Sequence, residues 1–193
     1  EAFLFDHAID SVPVLPGVFG MELFAQAASA LVPNKTMVGF KDIVFERPVK
    51  FHRGEALTLD VEAKKISSGT VEASLFVNRT LAKGRTTRER HFQGQVLMGK
   101  APKKQKPSIQ FTQEGLVSGP DASGIYDLFF HTGVFQVMDS IPYLSDKNVV
   151  GYGHGPNTAI STVMPVDSLC SDPFSREMAL QTAGILGMRE DRS

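Results

Sequence analysis

A histidine near the start of the sequence and a glutamate near its end have the types and settings that proton transfer requires. His7 lies shortly before Pro16-Gly17 and a long apolar segment. An imidazole has an unperturbed pKa of about 6.5, so a neutral His7 can accept a proton near pH 7. Glu177 falls in a predicted helix, and a carboxyl group buried in an apolar site stays protonated and can donate. His7 is therefore a candidate base and Glu177 a candidate acid.

Other groups are placed to assist these two. Gln181 follows Glu177 by one helical turn, so both side chains share a helix face and the amide can orient the carboxyl group. Gly17 and Val18 begin the first predicted helix, where backbone N–H groups lack intrahelical partners and can stabilise charge on an oxygen. The set suits proton transfer beside a carbonyl group.

Each assignment has a structural alternative. A single histidine is more often a hydrogen-bonding residue, and a helical glutamate more often lies on a solvated face. Asp172 is a second candidate acid, but aspartate also commonly caps a helix at this position. His131 fits a packed or surface histidine, and no pattern supports a role for His52, His91 or His154.

The first half of the sequence predicts one buried helix followed by antiparallel strands. Residues 20–31 carry apolar side chains around most of the helix circumference. β-Branched and aromatic residues with partial alternation then predict strands at 37–45, 56–66, 71–78 and 91–98. This order favours an α+β arrangement in which a sheet wraps around a central helix.

A segment rich in proline and lysine, residues 100–108, predicts a solvated linker. The elements predicted after it are a helix near 122–130, strands near 134–141, 148–153 and 159–165, and a helix at 173–188. The sequence thus predicts two halves: 1–105 with the histidine, and 106–193 with the carboxylate. The second half is unusually small or incomplete.

Composition narrows the classes of partner. Twenty basic residues against 21 acidic residues give a net charge of -1, which argues against a nucleic-acid partner. The single cysteine, Cys170, cannot close an intramolecular disulfide, and no cysteine and histidine cluster has metal-ligand spacing. No apolar run has the length of a membrane span or the form of a signal peptide. We expect a cytoplasmic protein without a membrane partner.

The segment around His7 resembles dehydratase domains of polyketide and polyunsaturated-fatty-acid synthases. These domains carry a histidine, three residues, a glycine, four residues and a proline before their first helix. His7 and Pro16 match this spacing, Gly17 also fits, and Ser11 stands where glycine is usual. The segments at 18–28 and 45–51 also resemble the helix and the following strand of these domains.

The resemblance continues more loosely in the second half. The family has His-Pro, a catalytic aspartate and then glutamine or histidine where this sequence has Asp172-Pro173, Glu177 and Gln181. Glutamate is one methylene longer than aspartate. The segment 130–136 resembles a Gly-Tyr-Gly-Pro-x-Phe segment, in which Phe135 matches and the Gly-Pro pair is lost. His131 stands where the tyrosine would be.

The resemblance implies a double hot-dog fold and removal of water from a 3-hydroxyacyl thioester on an acyl carrier protein. Elimination needs a base, an acid and charge stabilisation, with no metal or organic cofactor. The implied partners are a phosphopantetheine-bearing carrier, neighbouring synthase domains and a second copy in a homodimer. The implied catalytic residues are His7, Glu177 and Gln181. The residues expected to bind substrate are Gly17, Val18, Phe19, Leu23, His131 and Phe135.

Two other functions compete with dehydration. A hot-dog thioesterase would use a carboxylate to activate water, but His7 with the Pro-Gly segment argues against it. A catalytically degenerate module that binds the chain is suggested by Ser11, Glu177 and the missing Gly-Pro pair. Geometry discriminates, since an enzyme should bring His7 and Glu177 within reach of one pair of substrate carbons.

Overall fold

The computed structural model describes residues 1–54, 56–80, 84–101, 117–156 and 168–190. The helices are α1 (Gly17–Leu31), α2 (Ala122–Tyr126) and α3 (Pro173–Glu190), with short 3-10 helices at Ala2–His7, His52–Gly54 and Gly133–Phe135. The strands are β1 (Ala8–Ile9), β2 (Val12–Pro13), β3 (Thr36–Phe45), β4 (Thr58–Ser67), β5 (Thr70–Thr80), β6 (Thr86–Gly99), β7 (Met138–Leu144) and β8 (Val149–Gly153).

The chain folds into two compact units. The α1 unit comprises Ile9–Lys103 and Asp167–Ser171, and the α3 unit comprises Glu1–Ala8, Lys104–Val166 and Asp172–Ser193. His7 therefore belongs, by its contacts, to the unit that contains Glu177. The halves 1–105 and 106–193 stay a prediction of domain organisation.

The α1 unit is a sheet packed on one helix, as the sequence predicts. Its four strands are antiparallel in the order β3-β6-β5-β4, and α1 contacts all of them. Alternate residues of β5 are buried because successive side chains of a strand point to opposite faces. These residues are Val71, Ala73, Leu75 and Val77.

A glycine allows the helix to approach the sheet closely. A Cβ atom at Gly20 would lie only 2.4 Å from Cδ2 of Phe92 on β6. No side chain fits in that space, so Gly20 sets the distance at which α1 packs against the strand. Fully buried Phe19 and Phe24 complete the apolar face of α1.

The α3 unit combines a two-stranded antiparallel sheet, β7-β8, with the long helix α3, which contacts both strands. Its apolar side chains form a buried core around the loop that precedes β7. The core residues are Ile125, Phe135, Val137, Met138, Ile141, Phe174 and Ile185. This core surrounds the polar groups that the sequence singles out for chemistry.

Two predicted elements of this unit are wrong in extent. The helix predicted near 122–130 ends at Tyr126, and the strand predicted near 134–141 begins only at Met138. Gly133 has a φ of +48°, in the left-handed region, and begins a 3-10 turn that a continuous strand excludes. The predicted strand at 159–165 and most of the linker at 100–108 lie outside the described residues.

Candidate functional site

The N-terminal segment is held in place by the residue just before His7. The carboxylate of Asp6 accepts hydrogen bonds from Val134 N (3.2 Å) and Thr132 Oγ1 (3.3 Å), and its carbonyl oxygen accepts one from Thr132 N (2.9 Å). A Cβ atom at Gly133 would lie 2.4 Å from the Asp6 carboxyl carbon. The glycine therefore both forms the turn and leaves room for this carboxylate.

His7 lies in an aromatic cage. Its ring is nearly buried, and its centroid is 4.9 Å from Phe130, 5.1 Å from His131 and 5.3 Å from Phe135. All three rings meet His7 edge-on, an arrangement that aromatic rings favour. The loop that Asp6 anchors thus supplies the walls around the imidazole.

His131 pairs with Glu177. Nε2 of His131 lies 3.2 Å from Oε1 of Glu177, and both side chains are 7% exposed. Phe130 stacks on the His131 ring at a centroid distance of 4.2 Å. The other ring nitrogen, Nδ1, is buried and has no hydrogen-bond partner among the described residues.

A chain of hydrogen bonds fixes the orientation of the Gln181 amide, so that one of its N–H groups donates to Glu177. Met138 N donates to the hydroxyl oxygen of Tyr126 (2.7 Å), which donates to Oε1 of Gln181 (3.1 Å). Nε2 of Gln181 then donates to Oε1 of Glu177 (2.9 Å) and to the carbonyl oxygen of Phe135 (3.0 Å). Oε1 of Glu177 therefore receives the amide and faces the imidazole at the same time.

These contacts lower the pKa of Glu177. Burial raises the pKa of this carboxyl group, but hydrogen bonds from His131 and Gln181, with the positive charges of His131 and His7, outweigh burial. The net pKa is below its ordinary value. The expectation that burial keeps Glu177 protonated is therefore wrong in direction, because no sequence pattern indicated the imidazole beside it.

Tyr126 shows the opposite shift. Burial raises the pKa of its hydroxyl group, the hydrogen bond from Met138 N lowers it, and the charges of Glu177 and Asp139 raise it further. The net pKa lies above the ordinary value for tyrosine. The hydroxyl group stays protonated and remains the donor that orients Gln181.

Asp172 takes the structural alternative. Its exposed carboxylate accepts hydrogen bonds from Ser175 N (3.0 Å) and from the Ser175 hydroxyl group, one turn into α3. This is the contact of a helix-capping aspartate. Glu177, by contrast, has two buried partners, His131 and Gln181. These contacts favour Glu177 over Asp172 as the carboxyl group of the site.

The residues predicted at the start of the first helix all lie on α1. Val18 and Phe19 are fully buried in the α1 unit, whereas Gly17 and Leu23 are half-buried. The described hydrogen bonds at this helix start run from Phe19 N and Gly20 N to the Pro16 carbonyl oxygen. Binding of an oxyanion or of substrate by these α1 residues stays a prediction.

Sequence reasoning missed Asp6 and Tyr126. Both act through partners far along the chain: Asp6 binds residues 132–134, and Tyr126 binds Gln181. Asp6 had one available signal, its position beside His7, whereas Tyr126 lies outside every motif. His131 was expected to bind substrate, and its contact with Glu177 was not foreseen.

The described residues offer no other obvious chemical centre. Within them, no group of three or more histidine, cysteine, aspartate or glutamate side chains is arranged to hold a metal ion. Nor does any of their helices have the length and apolar character needed to cross a bilayer. His154 pairs with Asp139 at 2.9 Å, but this histidine is exposed on the surface.

Solved structures with a similar fold are dehydratase domains of polyketide synthases. The dehydratase domain from the CurF module of curacin polyketide synthase matches with a TM-score of 0.74 and 14% identity, over 94% of this chain and 65% of that domain. A trans-AT polyketide synthase dehydratase domain from Brevibacillus brevis matches with a TM-score of 0.75 and 18% identity, over 95% of this chain and 69% of that one. The chain thus spans about two thirds of these domains and has their fold.

Two inactive mutants of the CurK dehydratase match as well. One replaces a histidine by phenylalanine (TM-score 0.69, 15% identity, 95% of this chain and 63% of that one). The other replaces an aspartate by asparagine (TM-score 0.69, 17% identity, 96% and 63%).

A family model also matches part of the sequence. Residues 1–78 match the family described as polyketide synthase dehydratase domain. No curated protein sequence matches the chain. The structural and family matches confirm the predicted resemblance to polyketide synthase dehydratase domains, and with it the α+β double hot-dog fold class.

Proposed function

We propose that this chain removes water from a 3-hydroxyacyl thioester carried by an acyl carrier protein, with His7 as base and Glu177 as acid. The observation that carries the proposal is one buried cluster that brings an imidazole, His7, close to the hydrogen-bonded pair of Glu177 and Gln181. A base and a carboxyl group from opposite ends of the sequence are what elimination needs in one place.

The chemistry balances without a cofactor. His7 takes the proton from carbon 2, next to the thioester carbonyl, and the electron pair forms the new double bond as the hydroxyl group leaves carbon 3. Glu177 gives the hydroxyl group a proton, so water departs. Backbone N–H groups of Gly17 and Val18 would hold charge that develops on the carbonyl oxygen.

The relatives support these roles. The two CurK structures are those of inactive mutants, one with a histidine replaced by phenylalanine and the other with an aspartate replaced by asparagine. His7 and Glu177 are the histidine and carboxylate that this chain offers in one buried cluster. The chain spans about two thirds of the length of these relatives. The proposal also includes an acyl carrier protein, neighbouring synthase domains and a second copy in a homodimer.

Apolar side chains would accommodate the acyl chain. Phe135 is fully buried and borders His7 at 5.3 Å, so it is the substrate contact that the cluster supports best. Phe19 and Leu23 on α1 are the further lining residues that we propose. Such a lining would exclude water and strengthen the electrostatic interactions that assist elimination.

The test is loss of water from a carrier-bound 3-hydroxyacyl chain, followed by mass spectrometry. We expect the unmodified protein to convert the substrate and both His7→Ala and Glu177→Gln to lose at least about 100-fold in rate, the usual scale for one acid or base. His154→Gln is the matched control, since it removes an exposed histidine of the same unit.

Other products identify the alternatives. Bound but unchanged substrate in the unmodified protein would indicate the degenerate binding module. Release of a free 3-hydroxy acid would indicate a thioesterase, because hydrolysis cleaves the thioester and leaves the hydroxyl group on carbon 3. Full dehydration by Glu177→Gln would remove Glu177 from the acid role.

A further inference from the structure

His131 lies where its proton affects the acid most directly. Its Nε2 atom is 3.2 Å from Oε1 of Glu177, and both groups are excluded from water. Oε1 also accepts a hydrogen bond of 2.9 Å from the Gln181 amide. The carboxyl group therefore has two donors on one oxygen, which is the environment of an ionised carboxylate.

An ionised carboxylate has no proton to give. The lowered pKa of Glu177 means that this group alone is a poor acid near neutral pH, although a departing hydroxyl group must be protonated. The imidazole of His131 is in direct contact with this carboxyl group and is a side chain of the type that can carry a proton at that pH. The Tyr126 hydroxyl group, with its raised pKa, cannot be that source.

We propose that His131 holds the proton that the departing hydroxyl group needs and delivers it through Glu177. This role rests on the proposed dehydration and makes His131 a positioning residue that acts on the acid. The proton moves from Nε2 to the Glu177 carboxylate and then to the hydroxyl oxygen as the bond to carbon 3 breaks. The proton that His7 removes from carbon 2 afterwards restores the pair.

Few other charges face the pair. His7 approaches from the N-terminal segment, and its ring centroid is 5.1 Å from that of His131. Tyr126 reaches Glu177 from α2 through Gln181, and Asp139 on β7 acts on Tyr126. Asp6 is engaged by the backbone and hydroxyl groups of residues 132–134. His7 is thus the group whose titration must be separated from that of the pair.

The experiment compares His131→Gln with His131→Phe across a range of pH. Glutamine can still donate a hydrogen bond to Glu177 but cannot carry a proton, whereas phenylalanine can do neither. If His131 holds the proton, both variants lose at least about 10-fold in kcat with little change in KM. His154→Gln serves again as the control.

The pH profile of activity distinguishes proton delivery by His131 from a purely structural role, because a structural role would not shift the profile. Activity requires a proton on the pair, so the alkaline limb of the profile marks its loss. In His131→Gln the proton must reside on the carboxyl group alone, so the alkaline limb should move to lower pH. A variant with normal activity and an unmoved alkaline limb would overturn the proposal.

A second measurement does not depend on turnover. The ionisation of Glu177 can be followed by the infrared carboxyl band, assigned by its absence in Glu177→Gln. We expect His131→Gln to raise the pKa of Glu177, because it removes a positive charge that lowers this pKa. An unchanged titration would overturn the coupling even if the chain is active. If the coupling is present but the unmodified protein does not dehydrate, the proposed function fails, and the delivery role with it.

Discussion

Two buried glutamates, one in each unit, occupy the same local setting. Glu22 on α1 and Glu177 on α3 are each followed four residues later by a glutamine that donates a hydrogen bond of 2.9 Å to the carboxylate. Glu22 is fully buried and Glu177 is 5% exposed. The helix alone therefore makes the two sites equivalent.

Their other partners make them different. Glu22 accepts hydrogen bonds from Cys170 N (2.7 Å), Ser171 N (2.9 Å) and the Ser171 hydroxyl group. All the donors described for Glu22 are neutral groups. Together they occupy both oxygens of its carboxylate. Glu177 instead faces His131 and lies in the field of His7. A carboxylate held by neutral donors fixes a chain segment, whereas one beside imidazoles can exchange protons.

The largest expected contrast is in activity. Glu177→Gln should reduce dehydration by about 100-fold or more, because the carboxyl group is the proposed acid. Glu22→Gln should leave the rate per folded molecule within about 3-fold, since Glu22 is not part of the proposed chemistry. The measurement is the rate of water loss, corrected for the folded fraction by circular dichroism. A comparable loss in both variants would break the distinction between the two glutamates.

The next contrast is in stability. Glu22→Ala leaves the two backbone N–H groups of Cys170 and Ser171 without their acceptor, and each partly buried hydrogen bond contributes about 0.5–1.5 kcal/mol. We expect the free energy of unfolding in urea to fall by about 1–3 kcal/mol in total. Glu72→Ala, at an exposed position of β5, is the control and should change it by less than about 0.5 kcal/mol. Equal effects of the two substitutions would mean that Glu22 does not anchor residues 170–171.

The smallest expected effect is on the stability of the α1 unit at mildly acidic pH. Burial lowers the pKa of His91 below 6.5 despite the opposing hydrogen bonds at Arg47 and Pro48, so the folded protein favours the neutral ring. The unfolded chain binds the proton more readily, and stability therefore falls as the pH drops from 6.5 to the folded-state pKa. His91→Asn can keep the contact with the Arg47 carbonyl oxygen but cannot be protonated.

Thermal unfolding between pH 7 and pH 5 checks this expectation. The unmodified protein should lose stability over this range, and His91→Asn should lose less. Glu177 should contribute no such loss there, because a lowered carboxyl pKa gives stability that is present above its ordinary value of 4.5 and disappears only below it. Parallel curves for the two proteins would show that His91 is not the acid-sensitive group.

Much of the fold could be predicted from local sequence patterns. The apolar segment and the alternating segments of the first half predicted α1 and β3–β6, with boundaries within about five residues. The strands could be predicted because a strand with one buried face has apolar residues at every second position. The one-turn spacing of Glu177 and Gln181 likewise predicted their hydrogen bond. Such signals are local, and a reader of the sequence has direct access to them.

The rest depends on contacts between distant segments. The charge of Glu177 depends on His131, which lies 46 positions earlier, and the orientation of Gln181 depends on Tyr126, 55 positions earlier. Neither partner shares a period or motif with the residue it controls. Burial could be predicted for Glu177, but the sign of its pKa shift could not, because burial and the contacts with His131 and Gln181 act in opposite directions.

The hydrogen bonds of Asp6 also impose an order of events during synthesis. The residues that receive its carboxylate lie up to 128 positions later in the chain. At about 5–20 residues per second, the ribosome needs roughly 6–26 seconds to produce that stretch after Asp6 itself is made. Throughout that interval His7 has been synthesised without the aromatic residues that enclose it, so its imidazole is made well before its surroundings can form.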